Sequence, residues 1–262
     1  MWFAILSILF YLLNLLLIVP FLFNMQINAQ QGLKIPLFLT ALLAVILHCV
    51  SLQPLLFDLA SGQSFTLMEI GSLMSVMISI LATFATLRLS TAWLLLPIVY
   101  SFAIINLVGA TFIPSHLVQL LNQNATMMFH IGLSIFTYAV CFIAMLYAVQ
   151  LVWIDRRLKL KKTDFSPAIP PLMTVERHFF RLFVAGEILL TATLISGSWH
   201  LAQALNLENL HKAAFSFVAW IVFGIAILGH QYFVWRGKKM IIYSISGMIL
   251  LTIGYFGSRL IG

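Results

Sequence analysis

The run HIGLSIFTYAVCFIAMLYAVQLVWIDRRLKLKK, residues 130–162, decides the class of fold. From His130 to Ile154 it carries no Asp, Glu, Lys or Arg, and the next eight residues then hold five cations. At 1.5 Å per helical residue, about 20 apolar residues cross a ~30 Å hydrocarbon core, so the first part is long enough to span a bilayer. The basic part belongs beside anionic headgroups on one side of it. Working outward, the same alternation recurs along the whole chain. Apolar runs bounded by charge, Pro or Gly fall at 2–24, 35–55, 66–87, 92–110, 127–154, 178–204, 212–234 and 240–260.

Composition agrees: 62% of the 262 residues are hydrophobic and 8% are charged, against about 25% charged in soluble domains. The expected fold is an all-α integral membrane bundle of about eight transmembrane helices, a single domain over 1–262. The first run lacks a basic start and is expected to remain as a span. Lys34, Arg88, the run at 155–162 with Arg177 and Arg181, and WRGKK at 235–239 occupy alternate loops, giving twelve cations on one side against two, Lys212 and Arg259, on the other. That asymmetry predicts a multi-pass protein of the bacterial inner membrane, with basic loops in the cytoplasm and both termini outside. The net charge of +7 is thereby explained without nucleic acid. Residues 111–126, TFIPSHLVQLLNQNAT, are expected to form a short interfacial helix.

Ionisable side chains at bilayer depth are costly and need a partner, a cavity or a task. His48 lies ~20 Å along the second span, in its outer third, and His130 opens the fifth at a similar depth. Two imidazoles near one level suit axial ligation of a haem iron, and equally suit hydrogen bonds across helix contacts. Ala41, Ala44, His48 and Ser51 share a face open to close approach, while His130, Ser134 and Tyr138 form a polar stripe. His230 lies ~27 Å down the seventh span, near the cytoplasmic end, where it takes a second or transient haem or sits at the interface. Its face, with Phe223 and Ile227, reads equally as core packing. His116, His200 and His211 read as loop residues and His178 as solvated. Glu69 and Glu187 lack an intramembrane cation, which points to protonated, hydrogen-bonded acids ahead of a proton relay. Lys212 and Arg259 are candidate partners for haem propionates. Cys49 and Cys141 lie in apolar runs and read as buried thiols, and no nucleotide, zinc-protease or serine-hydrolase motif occurs.

The segments LLLPIVYSFAIINL at 94–107, HIGLSIFTYAVCFIAMLYAVQL at 130–151, IPPLMTVER at 169–177, FVAWIVFGIAILGH at 217–230 and GMILLTIGYFGSRLIG at 247–262 carry a resemblance. With them the chain resembles the cytochrome c assembly superfamily of CcsA, CcmC and HemX, and within it the YpjD-like inner membrane group. The resemblance implies haem as a b-type cofactor, with His130 matching an outer histidine that opens a span, His230 one that ends a span, and His48 an early histidine of HemX-like members. His48 and His130 are then the expected axial ligands, and another membrane protein or an apocytochrome is the expected partner. Two departures stand beside this. LNLENLHKAAFSF at 205–217 occupies the place of a tryptophan-rich segment, and no histidine follows the last span. Synthetase activity is therefore not expected. The alternatives are a non-haem accessory subunit of another membrane protein and, behind it, a transporter relying on Glu69 or Glu187.

Overall fold

The computed structural model describes residues 1–23, 27–60, 65–113, 118–119, 125–160, 170–203, 207–235 and 237–256. Among them are nine α-helices and a two-residue strand pair: α1 (Trp2–Phe23), α2 (Ile27–Ser51), α3 (Gln53–Ala60), β1 (Phe65–Thr66), α4 (Leu67–Ala85), α5 (Leu96–Phe112), β2 (Val118–Gln119), α6 (Ala125–Lys159), α7 (Leu172–Gln203), α8 (Leu207–Phe233) and α9 (Lys238–Phe256). Six helices are long and apolar enough to cross a membrane, and two shorter apolar segments, Trp2–Ile18 and Leu96–Phe112, occupy the first and fourth expected spans.

The chain forms two compact units, and α1–α5 make the first. Its large apolar side chains point outward: Leu16 is 73% exposed, Leu39 56% and Ile105 69%. Its polar side chains point inward, so lipid rather than water is the natural solvent for this surface. On α1 the buried positions Ala4, Ser7, Tyr11, Asn14 and Ile18 recur every three or four residues and form one seam. Along it Ser7 Oγ donates to the Ala44 carbonyl at 2.8 Å, and Asn14 Nδ2 donates to the Leu37 carbonyl at 2.7 Å and to Thr40 Oγ1 at 2.8 Å. Such bonds between membrane helices are worth about 0.6–2 kcal/mol each. They fasten α1 to α2, whose buried Ala41 and Ala44 permit close approach.

In the second unit, α6 pairs with α7 and α8 with α9. Thr137 and Thr193 share a hydroxyl bond at 2.9 Å across α6 and α7, Tyr138 and Thr252 one at 3.1 Å across α6 and α9, and Trp220 Nε1 donates to Thr191 Oγ1 at 2.9 Å across α7 and α8.

Several boundaries differ from the expected spans for local reasons. The second run ends at Ser51 and α3 starts afresh at Gln53, because Pro54 has no N–H to donate and biases the residue before it away from the helical region. Helix α4 starts at a capping box, in which Thr66 N donates to Glu69 Oε2 at 2.7 Å and Glu69 N donates to Thr66 Oγ1 at 3.3 Å. Helix α6 continues to Lys159, beyond the apolar run, carrying an exposed Lys159–Asp155 ion pair. Helix α7 begins at Leu172 and α8 at Leu207, so His178 and Lys212 both lie in a second turn rather than at a helix start. The interfacial helix expected at 111–126 is not formed at residues 118–119. These pair antiparallel with 65–66, Phe65 opposite Gln119 and Thr66 opposite Val118, while 114–117 and 120–124 lie outside the described residues.

Candidate functional site

The first unit places His48 at the centre of its polar seam. The ring is fully buried, with Tyr11 Oη 3.3 Å from Nδ1 and Ser72 Oγ 2.9 Å from Nε2. A neutral imidazole has one donor and one acceptor nitrogen, so these two hydroxyls complete it. Tyr11 meets the ring edge-on, with centroids 5.9 Å apart, and also lies 5.0 Å from the Tyr100 ring, whose hydroxyl bonds Thr83 Oγ1 at 2.8 Å. Iron coordination by His48 would displace either Ser72 or Tyr11 from this closed arrangement.

His130 stands differently. It is half-buried near the start of α6, and Nδ1 lies 2.8 Å from Ser196 Oγ on α7. Ser196 donates its single hydroxyl proton to the Thr193 carbonyl at 3.0 Å, so towards His130 it accepts. When the Ser196 proton points to Thr193, Nδ1 carries the ring proton and Nε2 the lone pair. A hydrogen bond of this kind, made by the non-ligating nitrogen, fixes tautomer and ring angle in metal-binding histidines. Gly197 makes room for the ring: a Cβ there would lie 2.9 Å from His130 Cε1.

His230, at the last turn of α8, repeats the pattern with a backbone partner. Its Nδ1 donates to the Trp235 carbonyl at 2.7 Å, which again leaves the lone pair on Nε2. Trp235 folds back over Gly229, where any Cβ would run into the indole, through a turn with Val234 at φ 53° and Gly237 at φ 58°. The imidazole lies tilted by 36° over Phe180 with centroids 4.1 Å apart and borders a cavity of about 10 Å³, room for one water, together with Glu176 and Met240.

The remaining residues singled out from the sequence divide as follows. Glu69 is the α4 cap. Glu187 points its Oε1 at Gly224 on α8, where a Cβ would lie 3.5 Å away, and its Oε2 is buried without a hydrogen bond. Lys212 is half-buried on α8, His211 is exposed, and His178 lies 6.1 Å from the Tyr147 ring. Arg259, His116 and the His200 side chain lie outside the described residues. Cys141 is buried against Gly186, and Cys49 is half-buried. No group of three or more His, Cys, Asp or Glu converges among the described residues. Sequence reading missed Tyr11 and Ser196. The signal available was the Ser7, Tyr11, Asn14 spacing on α1, which puts three polar groups on one face of an apolar helix.

The family model described as cytochrome c assembly protein matches residues 37–262. The chain is 42% identical over 260 residues to the inner membrane protein YpjD of Escherichia coli strain K12, covering 99% of this chain and 97% of that one, and equally to YpjD of Escherichia coli O157:H7. It is 29% identical over 136 residues, half of each chain, to an uncharacterized 28.8 kDa protein of Azospirillum brasilense. No solved structure matches it. A family match over most of the length, together with end-to-end similarity to YpjD, means that this chain belongs to the cytochrome c assembly protein family.

Proposed function

We propose that the protein is a haem-handling protein of the bacterial inner membrane, in which His130 Nε2 is an axial ligand to a b-type haem. Family membership supports the class of cofactor. The observation that supports the ligand is the His130–Ser196 bond, which fits a proton on Nδ1 and a lone pair on Nε2. The cation asymmetry and the similarity to an inner membrane protein support basic loops in the cytoplasm and both termini outside, with eight spans. His130 then lies near the outer face and His230 near the inner one.

Haem supplies an iron that accepts imidazole nitrogens and propionates that accept cations, for which Lys212 is the described candidate and Arg259 the second. His48 as the other axial ligand is the second reading, supported by its expected depth and by the resemblance to HemX-like members. It asks the ring to leave Ser72 or Tyr11. The segment LNLENLHKAAFSF at 205–217, in the place of a tryptophan-rich one, favours haem binding or delivery over synthetase activity. Protein purified in mild detergent from haem-replete cells is expected to show a Soret band that His130→Ala removes. Protein that is colourless and fails to take up added haemin would instead favour an accessory subunit.

A further inference from the structure

The first unit contains a cavity of about 260 Å³ bordered by Leu52, Leu55, Glu69, Ser72, Leu107 and Thr111. Ser72 gives it chemistry. Down the same face of α4, Ser75, Ser79, Thr83 and Thr86 each donate to a carbonyl one turn back, at 2.6–2.9 Å. That is the ordinary way for a hydroxyl to satisfy itself in a membrane helix. Ser72 departs from it: its hydroxyl is fully buried and bonds only His48 Nε2 among the described residues. A hydroxyl offers one donor and two acceptor positions, so Ser72, a wall residue of the cavity, keeps capacity beyond its bond to His48. The other wall hydroxyls are committed, Ser51 to the His48 carbonyl at 2.7 Å and Thr111 to the Leu107 carbonyl at 2.7 Å. Ser72 therefore joins the cavity to a buried neutral base.

We propose that this cavity binds the ring of a lipid-soluble quinone or hydroquinone, with Ser72 as its hydrogen-bonding contact and His48 behind it. Three features select that chemistry. The volume lies just below the range of drug-sized pockets and suits one substituted ring. The cavity is bordered by the Glu69 carboxyl and by the amino group of Met1 with no Lys or Arg side chain beside them, a wall of balanced charge that suits a neutral group exchanging hydrogen bonds. Access from lipid is built into α3, which buries Leu52 and Leu55 at and just before its start while exposing Leu56 at 51% and Phe57 at 66%. A quinone carbonyl accepts from the Ser72 hydroxyl, and a hydroquinone hydroxyl donates to Ser72 Oγ or to the Glu69 carboxylate. The ring packs on Leu52, Leu55 and Leu107. The inference concerns binding alone and does not depend on haem.

The test is calorimetric titration of a decyl-substituted benzoquinone, and separately its hydroquinone, into the full-length protein in phosphatidylcholine nanodiscs. Saturable one-site binding is expected, weakened about tenfold by Ser72→Ala through the loss of one hydrogen bond. It is expected to vanish in Ala110→Phe, which fills the cavity from α5, with helical content retained. Leu55→Trp fills the same space from α3, should Ala110→Phe fail to fold. The proposal is overturned if the heats equal those of protein-free nanodiscs, if the filled variants bind as the wild type does, or if added phosphatidylglycerol displaces the quinone.

Discussion

His48 in the first unit and His130 in the second are both membrane histidines on apolar helices, yet the structure uses them in opposite ways. His48 is fully buried with a hydroxyl at each nitrogen. His130 is half-buried, with Nδ1 clamped by a serine whose own proton is committed elsewhere. One ring has a hydroxyl at each nitrogen, while the other has Nδ1 held by Ser196. His230 follows His130, with the Trp235 carbonyl in place of Ser196. An imidazole at bilayer depth thus signals cost, and only its partners reveal whether that cost is met by packing or by presenting a ligand atom.

The contrast is broken most severely by His48→Ala. It leaves a void beside Tyr11 and Ser72 and strips a partner from each, so a loss of about 3 kcal/mol or more is expected, read as a large fall in the denaturation midpoint in detergent. An unchanged midpoint would remove His48 from the core. Gly197→Val is expected to cost about 1–3 kcal/mol by driving a side chain into the His130 ring. The same variant should diminish the Soret band, whereas an unaltered spectrum would show that the ring angle is immaterial. Ser196→Ala comes next. It should cost only about 1 kcal/mol in stability, while haem affinity falls roughly 10- to 100-fold, as when the outer partner of a metal ligand is removed. Equal affinity for haemin in titrations of the two proteins would contradict the clamp. The smallest effect is expected for Lys159→Ala, which breaks an exposed ion pair and should shift stability by no more than about 0.5 kcal/mol.

Much of this was legible in the sequence where a rule about lipid solvent applies. A run such as 130–154, without charge, has little choice but a helix, and α6 runs through all of it. Boundaries were less legible, because they depend on local chemistry that hydropathy ignores. Pro54 splits α3 from α2, the Thr66–Glu69 box starts α4, and the strand pairing at Val118–Gln119 replaces an expected helix. At the site, the histidines were legible as costly residues and their partners were not. Ser72 lies 24 residues from His48, and Ser196 lies 66 from His130. Nothing local in the sequence selects either serine from the many others. Glu69 illustrates the reverse case: an acid read as protonated and hydrogen-bonded, with a proton relay behind that, is a helix cap, legible from the Thr-x-x-Glu spacing.

The most direct measurement is the visible absorption spectrum of the purified protein beside that of His130→Ala, per mole of folded chain. The account predicts a Soret band in the wild type that is lost in His130→Ala while the denaturation midpoint of the variant stays close to that of the wild type. A band of wild-type height in His130→Ala would contradict it.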